Sequence, residues 1–411
     1  MRNRSLLVVS IAVAGALTVS ACGSRGEKKT TEDGAAGGSV KVVIGVDAPL
    51  TGKLSALGLG IKNSADLAVK KANKDKTVPG VTFELEALDD QANPSSGQQN
   101  ATKLVGNTAV LGVVGPLNSG VSLTMQSVFN DAKLAQVSPA NTNPQLSLGA
   151  DWGKQDFKRL YASYFRTATT DVVQGKFAAQ YLYNDAKKTK VFVIDDKKTY
   201  GAGLANIFLE EFKKLGGQVV GTEHINPDDK DFAAVATKVK SSGADSVYYG
   251  GEYPEGGPLS GQIKKAGATV PVFGGDGIYD DEFIKLANGQ AEGDLATSVG
   301  APVEQLDSAK AFIEGYKAAG YPEPYAAYGG YSYDAAWSIV EAVKAVVAAN
   351  GGKLPTDARP KVIEALGKVS FEGATGKVSF DQYGDTTNKQ LTVYQVKDGK
   401  WAAVKSGTYS G

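Results

Sequence analysis

The sequence predicts an α/β protein of two lobes, each a mostly parallel sheet with helices on both faces. Three observations lead there. Short β-branched runs alternate with longer amphipathic stretches, the alternation runs through two separate series, and the strand runs end in polar or glycine-rich segments. The chain has 411 residues, 42% of them hydrophobic, which is enough for two lobes with cores of their own.

The first series begins at Val40. Lys41–Asp47 (KVVIGVD) reads as a buried strand, and Gly60–Asn73 places Ile61, Ala65, Leu67, Ala68 and Ala72 near helical spacing. Val81–Leu88, Val110–Val114 and Ala135–Ser138 follow as strands, with Ser95–Val105 and Val121–Asp131 as helices between them. The second series starts after Asp171, with helices at Val172–Asn184, Gly201–Leu215, Phe232–Ser241 and Gly256–Ala266. Its strands are Lys190–Ile194, Gln218–His224, Ser246–Tyr249 and Val270–Phe273. Beyond Thr297 helices are predicted at Ser308–Ala318, Tyr328–Ala349 and Pro360–Leu366, and two strand runs, Gly376–Phe380 and Leu391–Val396, close the chain. No short-period repeat is visible after residue 40, which argues against a solenoid.

The N-terminus reads as an address. Met1–Ala21 carries Arg2 and Arg4, then an apolar stretch from Leu6 to Val19 that is too short to span a bilayer as a helix, so it is expected to be a secretory signal peptide. Val19-Ser20-Ala21-Cys22 resembles the lipobox of bacterial lipoproteins, which implies cleavage before Cys22 and lipidation of its thiol. Ordinary cleavage after Ala21 would instead leave a free thiol. Residues 22–39 comprise that cysteine and a run of Gly, Ser, Thr, Lys, Glu and Asp with no large apolar residue, expected to be a flexible tether reaching roughly 20–25 Å. The protein is thus expected outside the cytoplasm, held to the cell membrane by its lipid.

Composition narrows the chemistry. The chain has 44 basic and 44 acidic side chains and six arginines, which gives no support for a nucleic-acid partner held through phosphates. Without residues 1–21 the balance is 42 basic to 44 acidic, so electrostatic docking to a membrane is not expected either. A single cysteine excludes an internal disulfide, and with the single histidine, His224, it excludes Cys/His zinc clusters and multi-histidine metal sites. A nucleophile–histidine device would have to use His224, which has no acid or nucleophile beside it in sequence and reads better as structural. The chain is therefore expected to be no enzyme, with no metal and no cofactor.

Ligands of open α/β sheets sit beyond the carboxyl ends of the strands, where helix N-termini present free N–H groups. Six segments lie there: Asp47–Gly52, Gly115–Gly120, Ser138–Thr142, Asp195–Gly201, Gly250–Tyr253 and Gly274–Gly277. In this order, with LDDQANP at Leu88–Pro94, FRTATTDVVQG at Phe165–Gly175, DDKKTYGAGLA at Asp195–Ala205 and GKVSFDQYGD at Gly376–Asp385, they resemble the leucine/isoleucine/valine-binding family of type I periplasmic receptors. The likeness runs from about Val40 to Ala403. It implies three crossings of the chain between the lobes, near Arg166–Asp171, Ser298–Pro302 and Gly373–Lys377. One lobe would hold 40–165 and 303–372, the other 167–299 and 378–411.

A free α-amino acid carries a carboxylate and an ammonium on one carbon, so its site needs donors and a negative acceptor close together. Ser119 opens a helix from a glycine-flanked loop, where hydroxyl and N–H groups can face an anion. The resemblance implies that Ser119, the Ala140 backbone and the Thr142 hydroxyl take the carboxylate. It also implies that Asp276, where relatives more often have glutamate, takes the ammonium, and that Tyr200 lines the cleft. The bland alternatives are a helix cap for Ser119, turn residues for Thr142 and Asp276, and a core or surface aromatic for Tyr200. Glu252 falls where amino-acid-specific members have a tyrosine. Either Tyr253 takes that place by a one-residue shift, or Glu252 itself meets a second cationic group. Leu57 replaces an aromatic found in some members near the side-chain pocket, and Asp171 is either a cleft residue or a helix cap.

The resemblance implies a monomer that captures a small amino acid, branched-chain or similar, by lobe closure and delivers it to the permease of an ABC importer. The alternatives are a receptor for amides, urea or small carboxylates, a ligand sensor without transport, or a hydrolase using His224.

Overall fold

The computed structural model describes residues 39–154 and 157–409, which form one compact unit from Ser39 onward. The signal segment, Cys22 and the tether to Gly38 lie outside the described residues.

Fourteen strands and twelve α-helices alternate along the described chain. The first sheet uses β1 (Val40–Ala48), β2 (Val81–Asp89), β3 (Val110–Val114), β4 (Ala135–Ser138) and β5 (Tyr164–Arg166), in the order β2-β1-β3-β4-β5. Every pairing in it is parallel. From Val42 to Ala48, β1 is buried throughout, as its unbroken VVIGVDA run requires of a strand covered on both faces. One face is covered by α2 (Pro94–Gly106) and α3 (Ser119–Asp131), through Leu104, Val121, Met125 and Phe129. The other is covered by α1 (Ser55–Lys74) and later helices, through Ile61, Ala65, Ile339 and Val362.

After the short α4 (Gln145–Leu148), the chain passes through β5 into α5 (Asp171–Gln180), whose last turn widens into a π-helical segment at Tyr181–Asp185. The second sheet has the order β14-β13-β10-β9-β8-β6-β7. Its parallel part comprises β6 (Lys190–Asp195), β7 (Gln218–His224), β8 (Ser246–Gly250), β9 (Val272–Gly274) and β10 (Leu295–Ser298). On one face α5 and α6 (Thr199–Lys214) bury Phe177, Leu204, Phe208 and Phe212. On the other, α7 (Ala233–Ser242), α8 (Tyr253–Lys265) and α9 (Asp281–Leu286) bury Val239, Leu259, Ile263 and Phe283.

The chain then returns to the first sheet through α10 (Lys310–Ala319), α11 (Gly329–Ala349) and α12 (Ala358–Leu366). The core helix α11 lies along α1 and over β3. Gly112 makes the approach possible, because a Cβ there would stand 2.8 Å from Ile339 Cγ2. Replacing the fully buried Ile339 by alanine would remove roughly 2–5 kcal/mol of stability.

The end of the chain differs from the sequence expectation in two places. The run at Gly376–Phe380 is one arm of a small hairpin, β11 (Ser370–Gly373) with β12 (Gly376–Ser379), pairing with neither large sheet. Its turn is fixed by Asp334 of α11, whose carboxylate accepts Ala374 N–H at 2.7 Å and Thr375 N–H at 2.8 Å. Residues 373–377 therefore fold back on themselves, and the third passage to the second sheet lies between Ser379 and Gln390. The final strand is also a new one. After β13 (Gln390–Lys397), β14 (Lys400–Thr408) returns antiparallel as an edge strand with half its residues exposed, so it lacks the apolar run that marks a buried strand. The turn between them is Asp398-Gly399, with φ of 52° and 71°, the Asp-Gly signature of a tight hairpin.

Two smaller differences have local causes. The helix expected from Gly256 starts at Tyr253, because Pro254 sits in the first turn, where a missing N–H costs nothing. The strand Leu295–Ser298 is short and entirely buried between β9 and β13, too brief to show a period.

Candidate functional site

The carboxyl ends of the two sheets face each other across a cleft, and the loops there hold one another in place. Asp89, at the end of β2, accepts Leu50 N–H at 2.8 Å and Thr51 Oγ1–H at 2.5 Å, which fixes the loop after β1. Asn93 caps α2, its Oδ1 accepting Ser95 N–H at 2.8 Å. Both jobs account for the LDDQANP segment. Arg166, fully buried at the first passage between lobes, donates from Nε to Asp385 at 2.6 Å, from Nη1 to the Asn143 carbonyl at 2.8 Å and from Nη2 to Ser147 Oγ at 2.6 Å. It thereby ties the loop after β4 to the third passage.

A small cavity of about 20 Å³, room for about one water molecule, lies between these ends. Ser119, Ala140, Tyr200, Asp276 and Glu252 line it, together with Leu57, Leu117, Asn118, Gly277 and Tyr328. Ser119 is the first residue of α3, with Asn118 at the cap position, and its side chain lines the cavity. Its hydroxyl and the first N–H groups of α3 thus point a partial positive charge into the cavity. Ala140 follows β4. Two residues on, Thr142 is fully buried and does not line the cavity; its Oγ1 lies by the Asp171 carboxyl and hydrogen-bonds no described residue.

On the opposite wall stands Asp276, just past β9. Its Oδ1 accepts Tyr200 O–H at 2.8 Å and Gln174 Nε2–H at 2.8 Å, and its Oδ2 accepts Tyr328 O–H at 2.7 Å. Burial pushes its carboxyl up from the ordinary range, and the three donors work against that rise. The same Gln174 Nε2 reaches Asp171 Oδ1 at 3.3 Å, so one amide nitrogen bridges two buried acids. Asp171 opens α5 and is pushed up to about 8, first by burial and then by Asp276. Tyr200 is held in the first turn of α6 by a close approach of backbone. A Cβ on Gly201 would stand 2.4 Å from the Gly250 carbonyl oxygen.

Tyr253 does not line the cavity. Its hydroxyl donates to the Lys53 carbonyl at 2.5 Å, tying α8 to the loop before α1 across the lobes. Glu252, at the cap of α8, faces inward instead. Its Oε2 accepts Lys198 Nζ–H at 2.6 Å, and its Oε1 accepts from the Asn118 side chain. The second cationic group expected for Glu252 is therefore supplied by the protein. Burial opposes the Lys198 charge, but Glu252 and Asp196 hold its pKa above the ordinary value. Further contacts across the cleft are Lys53 Nζ to Asp228 at 2.6 Å and Asn143 Nδ2 to the Thr199 carbonyl at 2.8 Å.

Tyr328, Gln174, Asn118 and Lys198 are the residues that sequence reasoning missed. Tyr328 precedes the Gly329-Gly330 pair that opens α11, and Gln174 lies one turn inside α5. Asn118 and Lys198 lie in two of the six strand-end segments and Gln174 in the Phe165–Gly175 match, but none is singled out there, and Tyr328 lies in no such segment. His224 does have an acid, since its Nδ1 lies 2.8 Å from Asp195 Oδ2 on the neighbouring strand. The pair sits at an edge strand with the imidazole 60% exposed, and among the described residues no hydroxyl hydrogen-bonds to it. A larger cavity of about 1010 Å³ opens elsewhere between the lobes, among Tyr279, Tyr325, Tyr394 and Trp401, and includes none of Ser119, Ala140, Tyr200 or Asp276.

Two α/β lobes that close strand ends, helix N-termini and a buried acid around a small cavity define a solute-binding protein. The model of the periplasmic binding protein family matches residues 41–400, and the chain belongs to that family. It is 32% identical over 364 residues to the Leu/Ile/Val-binding protein BraC3 of Rhizobium johnstonii, covering 89% of this chain and 94% of that one. It is 33% identical over 361 residues to Leu/Ile/Val-binding protein homolog 3 of Brucella melitensis, covering 87% and 92%. Among solved structures, a leucine-binding protein LivK from Thermotoga maritima superposes with a TM-score of 0.78 at 29% identity, covering 89% and 98%. The branched-chain amino acid transporter substrate-binding protein LivJ from Streptococcus pneumoniae, in complex with isoleucine, superposes with a TM-score of 0.79 at 27% identity, covering 90% and 100%.

Proposed function

We propose that this protein captures a small α-amino acid, branched-chain or similar, by closing its two lobes, and delivers it to the permease of an ABC importer. The observation that carries this is the placement of Ser119 and Asp276 on opposite walls of one cavity, an anion-seeking helix end facing a buried carboxylate. The α-carboxylate would sit at Ser119, the Ala140 backbone and Thr142, and the α-ammonium at Asp276, with Tyr200 closing over it. Contacts to both walls exist only when the lobes are together, so a ligand that makes them shifts the population toward the closed form. The arrangement binds without reacting, since the groups that converge are donors and a carboxylate already held by neutral hydrogen bonds.

The Leu/Ile/Val-binding and LivJ relatives support the amino-acid class and transport. Family membership favours a place outside the cytoplasm, where Cys22 would carry the lipid that holds a monomer near the permease. Binding at the cleft is tested by a thermal-shift panel of the twenty amino acids with amides, urea and small carboxylates. At least one amino acid should raise the melting temperature by several degrees through mass action. A transition moved by amides or carboxylates and by no amino acid would overturn the proposal.

A further inference from the structure

The two ends of the cavity differ in what they ask of a ligand. The end at Ser119 and Asp276 addresses the α-groups. Tyr328 belongs with Asp276, to which it donates at 2.7 Å, and the rest of the lining, Leu57, Leu117, Asn118 and Glu252, would meet the side chain. For an aliphatic side chain such a wall should be apolar, since a buried polar group deprived of water costs free energy unless something replaces the lost hydrogen bond.

Here the wall carries two polar side chains with unmet capacity. The Asn118 amide donates its Nδ2 to Glu252, and that carboxylate fixes which end of the amide faces it, because a carboxylate only accepts. The Asn118 Oδ1 is then turned the other way. It is buried and accepts from no described residue. Glu252 is 6% exposed and uses one oxygen for Asn118 and the other for Lys198 Nζ, at 2.6 Å. A carboxylate has about four lone-pair directions, so it retains room for a further donor.

Lys198 decides the charge of that donor. It already neutralises Glu252 and lies 3.8 Å from the buried Asp196. A second cation brought to the same carboxylate would face the Lys198 ammonium. The unmet demand is therefore for an uncharged donor. The side chain is also short, because Asn118 directly precedes Ser119, so a donor that reaches Asn118 lies beside the place given to the α-carboxylate.

We propose that Asn118 and Glu252 set the specificity of the cleft for an α-amino acid with a short side chain ending in an uncharged hydrogen-bond donor, a hydroxyl or amide, over aliphatic ones. This rests on the amino-acid function proposed above and narrows its side-chain part. Serine, threonine and asparagine carry such groups, and threonine shares the branching of valine.

The test is titration calorimetry of the purified protein with serine, threonine, asparagine, valine, leucine, isoleucine and lysine. One of the three polar amino acids should bind about 10- to 100-fold more tightly than valine or leucine, the effect of giving a buried acceptor its donor. In Glu252→Leu and Asn118→Leu that preference should shrink or reverse toward leucine. Glu252→Gln, which keeps the shape, guards against misfolding and should lose part of it. Valine or leucine binding as tightly as the polar three, or lysine binding most tightly, would overturn the specificity and leave the amino-acid function standing. No binding by any amino acid would sink both.

Discussion

The wall of the cleft in the first lobe and the wall in the second are built on opposite plans. In the first, Ser119 and the N-terminus of α3 present donors to the cavity, and the nearby Thr142 hydroxyl is without a partner. In the second, both oxygens of Asp276 already accept, from Tyr200, Gln174 and Tyr328, and both oxygens of Glu252 accept, from Lys198 and Asn118. The first wall needs an anion to satisfy it. In the second each carboxylate oxygen already has a donor, so Asp276 lacks chiefly a positive charge and Glu252 keeps room for one further donor. Two of its donors, Tyr328 and Asn118, come from the first lobe, so the acids of the second wall also hold the lobes together. A zwitterion completes both walls at once, while an anion or a cation alone completes one.

The largest effect is expected where both plans depend on one residue. Arg166 holds the loop bearing Thr142 and anchors the third passage at Asp385. Arg166→Met would leave a mostly buried carboxylate without its cation and should cost roughly 3–5 kcal/mol of stability, read as a lower denaturant midpoint at unchanged slope. A loss below about 1 kcal/mol would mean that the walls are positioned by other means.

Next come the walls themselves. Asp276→Asn keeps most hydrogen bonds and removes the charge, so amino-acid affinity should fall about 10- to 150-fold, the value of a charge-assisted hydrogen bond of roughly 1.5–3 kcal/mol. Ser119→Ala removes one of several donors and should cost about 3- to 10-fold. If calorimetry finds Ser119→Ala the more damaging, the contrast between the walls is wrong.

Asp171 gives the comparison a pH signature. Its carboxyl is pushed up to about 8 by burial and by Asp276, against an ordinary value of 3.8. The folded chain then keeps a proton that the unfolded chain has released. This contribution to stability is complete below the ordinary value and is lost as pH rises toward about 8. An ammonium bound beside Asp171 and Asp276 favours ionisation, so binding should release protons near neutral pH and strengthen between about pH 6 and 8. Calorimetry in two buffers of different ionisation enthalpy reads the proton count, and Asp171→Asn should reduce it. Equal heats in both buffers would contradict the linkage.

The smallest effect is expected at the rim. Lys53 is half exposed and its partner Asp228 is 81% exposed, so solvent screens the pair. Lys53→Ala should change affinity less than about five-fold, and the part owed to Asp228 should vanish at high salt, while that owed to the buried Glu255, 3.2 Å from Lys53 Nζ, should persist.

How much of this was legible in the sequence depended on burial and on chain distance. The strands of the first sheet are readable because two-sided burial writes an unbroken apolar run, as in β1. Edge strand β14 and the short hairpin β11–β12 leave only a weak pattern. Ser119 and Asp276 were accessible because each sits at the end of a strand run, where glycine and hydroxyl residues stand out, while Ala140 and Tyr200 were singled out by the family resemblance. Tyr328, Gln174 and Lys198 were not. Tyr328 and Gln174 reach the cleft from a helix start and a helix interior far along the chain, Tyr328 across the lobes, and Lys198, though two residues before Tyr200, has its role only through Glu252, pairings that no local period records. Glu252 was flagged for its chemistry, but its neutralisation by Lys198, 54 residues earlier, needed the fold.

The most direct measurement compares three ligands by calorimetry: the tightest-binding amino acid, the same molecule without its ammonium, and the same molecule with its carboxylate converted to an amide. The two walls predict that each change weakens binding at least about ten-fold, and that Asp276→Asn erases the difference between the first two. A deaminated ligand that binds as tightly as the parent would contradict the role given to Asp276, and with it the capture of a zwitterion between two unlike walls.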